Sequence, residues 1–163
     1  MLTRRFLLAG SAMGLLAGLG LLKGSRVASA AQFAVTHSDA EWRRMLSPAA
    51  YDVLRQSGTE APFTSPLLNQ HGHGIFACAG CNSGVFSSDT KFESGTGWPS
   101  FWAPLTAQAV TNARDSSLGM ERTAVSCATC GGHLGHVFND GPKPTGLRYC
   151  MNGVAMTFRP GAA

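Results

Sequence analysis

No stretch of this 163-residue chain gathers Lys and Arg in the way that tracking a phosphate backbone requires. The formal charge of +4 belongs to residues 1–30, which hold Arg4, Arg5, Lys23 and Arg26 and no acid. Of thirteen Lys and Arg in all, nine remain from Ala31 onward, against nine Asp and Glu. That part is formally neutral, which argues against nucleic acid as its partner. The chain also lacks a long, unbroken apolar run of the kind that marks a spanning helix. The one candidate, Phe6–Leu22, is 17 residues long and broken by Gly10, Gly14, Gly18 and Gly20, short of the ~20 strongly apolar residues a spanning helix needs. Ala28-Ser29-Ala30 follows as an A-x-A cleavage pattern. Thr3-Arg4-Arg5-Phe6-Leu7-Leu8 has the look of a twin-arginine export signal. The expectation is a cleaved leader over residues 1–30, a single domain over 31–163 and a periplasmic location. An ordinary secretory signal and an uncleaved anchor are the alternatives. The membrane is then met only during export or through a retained leader.

Repeats and low-complexity tracts are absent after the leader. Ser38-Asp39-Ala40-Glu41 has capping-box spacing and predicts a short helix through Leu46. Ser47-Pro48 predicts a second, with Tyr51, Leu54 and Val53 inward and Gly58 at its end. The helical period then disappears. "GIFAC", "GVFSS", "AVTNA", "RTAVSC", "GHVFND" and "RYCMNGVAMTF" lie between Gly, Pro, Ser and Asn and predict short strands. The fold class is mainly β (α+β): two short helices, then a compact, mostly antiparallel β domain. Phe101 and Trp102 are expected in its core.

Cysteine is scarce, and its spacing carries the chemistry. Cys78-Ala79-Gly80-Cys81 and Cys127-Ala128-Thr129-Cys130 are separated by 45 residues. Two such turns can complete a four-thiolate shell, the structural zinc arrangement. Gly80, Gly84, Gly131 and Gly132 are placed to permit the tight turns. Disulfides and a redox-active pair are the competing readings. Export on a twin-arginine route moves folded protein, so one structural Zn²⁺ could be taken up before oxidising conditions are met.

Cys150 is left without a partner. On its own it reads as a small buried hydrophobe. If "RYCMN" is a strand, however, Arg148, Cys150 and Asn152 share one face, and a cation there should lower the thiol pKa. Upstream, "GGHLGHVFND" supplies His133 and His136, two imidazoles that four thiolates leave free to orient a nucleophile or shuttle protons. His37, His71 and His73 read as loop or surface residues. Trp98, between Gly97 and Pro99, sits on a turn and reads as a side chain presented to a ligand.

Together these residues resemble the peptide-methionine (R)-S-oxide reductase family, from "EWRRMLSPAAYDVLRQSGTEAPF" through "FACAGCNSGVFSSDTKFESGTGWPSF" and "RTAVSCATCGGHLGHVFNDGP" to "TGLRYCMNG". The resemblance implies a β domain of two antiparallel sheets with the four-cysteine zinc site away from the chemistry. It implies that Cys150 is the nucleophile, that His133, His136 and Asn152 surround the sulfoxide oxygen and the thiol, and that Trp98 contacts the methyl on the substrate sulfur. The substrates would be oxidised proteins and peptides, and the activity one of protein repair under oxidative stress. The chain departs from the family pattern twice. Asn152-Gly153 replaces the usual Asn-Ser, a change expected to touch local packing only. Thr96 stands where many members carry a second, resolving cysteine, so an external thiol, small or thioredoxin-like, is expected to recycle a Cys150 sulfenic acid. A zinc-knuckle binding module and a Cys–His hydrolase are the remaining alternatives. The hydrolase ranks last, because its cysteine sits at a helix N-terminus rather than mid-strand.

Overall fold

The computed structural model describes residues 33–161. The leader read over residues 1–30 lies outside them. Among the described residues no helix is long and apolar enough to cross a membrane.

Both expected helices form for local reasons. In α1 (Asp39–Met45) the Ser38 hydroxyl accepts from the Glu41 N–H, and the Glu41 carboxylate accepts from the Ser38 N–H at 2.8 Å, a reciprocal capping box. In α2 (Pro48–Gln56) Ser47 caps Ala50 N–H and Pro48 opens the first turn. Tyr51, Val53 and Leu54 are buried as expected. The left-handed residue that ends α2 is Ser57 (φ 58°), one position before the expected Gly58.

Nine strands follow in two antiparallel sheets. They are β1 (Gly74–Cys78), β2 (Gly84–Ser87), β3 (Lys91–Phe92), β4 (Ser100–Phe101), β5 (Val110–Asp115), β6 (Arg122–Cys127), β7 (His133–Phe138), β8 (Arg148–Met151) and β9 (Met156–Pro160). The three-stranded sheet runs β2-β1-β9 and the six-stranded sheet β3-β4-β8-β7-β6-β5. Alternation along each strand decides which side chains enter the core between the sheets. Phe76 and Phe86 of the small sheet meet Phe101 of the large one, with ring centroids 4.9 and 4.5 Å apart. All three rings are fully buried. Trp102, expected beside Phe101 in the core, is only half-buried, because β4 ends at Phe101 and the chain bends away at Trp102.

The same alternation places the chemistry. In β8, Tyr149 and Met151 point into the core, while Arg148 and Cys150 are half-buried on the other face. Directly opposite Cys150 stand Ser100 of β4 on one side and His136 of β7 on the other.

Candidate active site

Cys150, Trp98, His136 and Asn152 line one cleft of about 120 Å³, together with Thr59, Gly135, Phe138 and Arg122. Four of the five residues expected around the chemistry therefore converge. The fifth, His133, does not reach this cleft. It lies behind His136, ring centroids 5.2 Å apart and edge-on, and lines an adjoining polar cavity with Asp115, Arg122 and Ser57. His133 is buried and its Nε2 has no hydrogen-bond partner. Burial, aided by repulsion from His136, holds its pKa down at about 4, so the ring is neutral at pH 7.

Cys150 meets the hydroxyl of Thr96, with Oγ1 and Sγ 3.7 Å apart. From Thr96 a line of hydroxyls continues through Ser94 (2.9 Å) to Ser100 (2.7 Å), which donates to the Trp98 carbonyl at 3.1 Å. The Arg148 guanidinium, held by two hydrogen bonds to the Asp140 carboxylate at 2.9 and 2.8 Å, lies beside the thiol. Its charge favours the thiolate, as the strand pattern predicted, yet burial outweighs it and the thiol pKa is raised. The expected lowering is therefore reversed. A half-buried sulfur loses more from desolvation than Thr96 and Arg148 return. Cys150 rests as a thiol.

His136 is oriented by a residue the sequence did not point to. Its Nε2 lies 2.8 Å from an Asp115 carboxylate oxygen, which also accepts from Arg122 at 2.8 Å. The Ser117 hydroxyl and backbone N–H, with His136 and Arg122, hold the Asp115 carboxyl well below the usual range. An ionised carboxylate only accepts, so Nε2 is the nitrogen that donates to Asp115, and Nδ1 is the ring nitrogen left for proton exchange. Asp115 is two strands from β7, and only the β5–β6–β7 pairing brings it there.

Glu60 was missed as well. Its backbone N–H donates to Asn152 Oδ1 at 3.0 Å, and its carbonyl accepts from the Trp98 indole at 3.1 Å. Its carboxylate accepts from Gly153 N–H and from Val154 N–H. The Asn152 side-chain amide in turn donates to the Leu134 carbonyl at 3.0 Å. One loop residue thus sets Trp98, Asn152 and the exit of β8. No short motif marks an isolated acid in a loop.

The four paired cysteines come together. Cys78 and Cys127 end β1 and β6, and the sulfurs of all four lie within 4.8 Å of one another. None forms a disulfide. Two sulfur pairs, Cys78–Cys130 and Cys81–Cys127, stand at 3.7 and 3.6 Å. A tetrahedral shell with bonds of about 2.3 Å has edges of about 3.8 Å, so the set can hold a metal ion. The two turns are built alike. In each, an N–H one residue beyond the second cysteine donates to the carbonyl of the first at 2.8 Å. That residue is Asn82 (φ 60°) in one turn and Gly131 (φ 70°) in the other. Of the four glycines expected to permit these turns, only Gly131 takes a left-handed backbone, and Asn82 does the work in the first. Hydrogen bonds to Cys127 and Cys130, together with burial, push the Cys78 thiol far up, while those from Cys130 and Cys78 pull Cys127 down. Thiolates this close repel one another, and a bound cation would relieve that repulsion.

Residues 46–160 match the SelR domain family. The chain is 56% identical over 126 residues to the peptide methionine sulfoxide reductase MsrB of Agrobacterium fabrum, covering 77% of this chain and 93% of that one. It is 53% identical over 127 residues to the protein of that name from Leptospira interrogans (78% and 97%). With that of Methanosarcina barkeri it shares 52% over 129 residues (79% and 91%).

The chain belongs to the peptide-methionine (R)-S-oxide reductase family.

Of the chain's five cysteines, Cys150 alone stands outside the four-cysteine cluster, and it faces a cleft with an indole, an imidazole and a carboxamide.

Proposed function

We propose that the protein reduces methionine-(R)-sulfoxide in oxidised proteins and peptides to methionine, with Cys150 as nucleophile. The observation that carries this is a single thiol in a small cleft walled by Trp98, His136 and Asn152, in a chain over half identical to proteins named peptide methionine sulfoxide reductase. Methionine sulfoxide offers a polar S–O group and a small apolar methyl. The Trp98 ring supplies an apolar wall for the methyl. His136 takes the thiol proton on Nδ1 as sulfur attacks sulfur, and passes it to the oxygen. The neutral His133 ring backs His136, and Asn152 hydrogen-bonds near the reacting groups. The oxygen leaves the methionine sulfur and ends on Cys150. Thiol plus sulfoxide become sulfenic acid plus thioether, a two-electron exchange with no net proton.

Recycling falls to an external thiol. Thr96 stands beside Cys150 and cannot form a disulfide. The metal-cluster turn of Cys127 and Cys130 precedes His133, roughly 10 Å along β7 from the residue opposite Cys150, beyond disulfide reach. One external thiol condenses with the sulfenic acid and releases water. A second frees Cys150 and leaves as the disulfide. The donor is a small thiol or a thioredoxin-like protein. The four-cysteine cluster holds one structural zinc, which contributes to folding and takes no part in the redox step. Residues 1–30 act as a twin-arginine-type export signal, and the activity of domain 31–163 is periplasmic. Intact mass of the exported protein tests that part.

The central experiment supplies free methionine-(R)-sulfoxide and dithiothreitol and measures methionine. Turnover should appear with the R epimer and vanish in Cys150→Ser, with metal content and melting temperature unchanged. Turnover retained in Cys150→Ser rejects the assignment. A Cys–His hydrolase has no observation in its favour, since Cys150 lies in mid-strand. A passive zinc module leaves the cleft unexplained.

A further inference from the structure

Phe63 is 68% exposed, yet it is held firmly. Its backbone is left-handed (φ 66°), which a bulky side chain adopts only at a cost. Its N–H donates to the Gly97 carbonyl at 2.8 Å, and the Thr64 hydroxyl donates to the Ala61 carbonyl at 2.7 Å. The ring lies against Gly97 so closely that a Cβ there would come within 3.0 Å of two ring carbons. Gly97 precedes Trp98, and Thr59, four residues before Phe63, lines the Cys150 cleft. An aromatic ring is thus fixed, at a backbone penalty and with most of its surface in water, against the turn that carries Trp98 into the cleft. Neither core packing nor backbone preference accounts for it.

The surroundings indicate the occupant. Thr59, Ala61, Pro62, Thr64, Gly95 and Thr96 are uncharged, and the Glu60 carboxylate is engaged by two backbone N–H groups. Methionine is largely a core residue, and its sulfoxide disrupts the core that held it. An oxidised client therefore presents the sulfoxide among apolar neighbours. In an extended segment the side chain two residues away points to the same face, about 7 Å along.

We propose that Phe63 is a specificity-determining contact for protein substrates, binding an apolar side chain two residues from the oxidised methionine. This rests on the reductase reading given above. The test compares three substrates with dithiothreitol as donor: N-acetyl-methionine-(R)-sulfoxide, a pentapeptide with the sulfoxide at its centre and Leu at both ends, and the same peptide with Gly at both ends. Wild type should favour the Leu peptide. Phe63→Ser should raise KM for that peptide about five-fold or more, the size expected for uncovering part of one aromatic face. KM for the N-acetyl substrate and for the Gly peptide should stay unchanged. Phe63→Gly, which accepts the left-handed backbone without strain, should behave alike, and Phe63→Leu should keep most of the preference. Equal losses on all three substrates would make Phe63 a structural residue. A rise confined to the KM of a thioredoxin-like donor would make this surface a reductant dock. Either result overturns the proposal. No turnover of the N-acetyl substrate by wild type would instead overturn the reductase reading itself.

Discussion

Gly153 follows the active-site strand, and its φ is not in the left-handed region, so the backbone alone would accept any residue. Space decides instead. A Cβ at Gly153 would lie 1.7 Å from Ser65 Oγ and 2.7 Å from Ser65 Cβ. Ser65 is buried, and its hydroxyl accepts from Leu67 N–H at 3.1 Å. Gly153→Ser, which restores the family's usual Asn-Ser, must therefore displace Ser65 or push back the turn that follows β8. Overpacking costs about 1–3 kcal/mol. If the turn retreats, the Gly153 N–H also leaves the Glu60 carboxylate, a charge-assisted bond of about 1.5–3 kcal/mol when fully buried and less in this half-buried setting. The sum, about 2–4 kcal/mol, corresponds to a fall of roughly 8–15 °C in Tm for a domain of this size. Because Glu60 also holds Asn152 and Trp98, kcat/KM should fall with it. Ser65→Gly alone loses one hydrogen bond, about 1 kcal/mol. In the double variant the clash is gone, so stability should exceed the additive value by about 2 kcal/mol. Thermal melts and kinetics on the four proteins of this cycle measure it. A loss under 2 °C in Gly153→Ser, or strict additivity in the double variant, refutes the reasoning.

Thr96→Cys should place a second sulfur beside Cys150, since the hydroxyl it replaces is 3.7 Å from Sγ. Substrate without reductant should then give an internal disulfide, seen as loss of two protons in the intact mass, where wild type gains about 16 Da as sulfenic acid. His133 contributes to acid sensitivity. Its pKa is about 4 in the fold and about 6.5 in the unfolded chain, so between these values only the unfolded chain binds the extra proton. Stability should fall as pH drops from about 6.5 to about 4, by at most about 3 kcal/mol. Across that window the urea midpoint of wild type should fall relative to that of His133→Asn, which lacks the titrating ring. Removing metal with a chelator under reducing conditions, or replacing Cys78, should melt the domain, because the binding free energy of a metal held by this cluster is folding free energy. Full stability of metal-free protein by circular dichroism would make the cluster dispensable. Iodoacetamide should label Cys150 more slowly than a free thiol at the same pH, and fast labelling below pH 7 would show that Arg148 outweighs burial after all.

Much of this was legible in the residues. Helix starts are local chemistry, so Ser38-Asp39-Ala40-Glu41 and Ser47-Pro48 announced α1 and α2 without help from the rest of the chain. Metal spacing is local within each turn, and two turns of the same type find one another. Period-two alternation put Cys150 on the side of β8 away from the core, opposite to Tyr149 and Met151. The tertiary structure decided what depends on distant segments meeting. It put Asp115 on His136, Glu60 under Trp98 and Asn152, and Thr96 against the thiol. It gave the two neighbouring histidines different places: both line the polar cavity beside Asp115, but only His136 also reaches the Cys150 cleft. It also reversed the expected pKa of Cys150. Charge can be read along a strand, whereas desolvation depends on how many neighbours close over the sulfur, and that is known only once the sheets have packed.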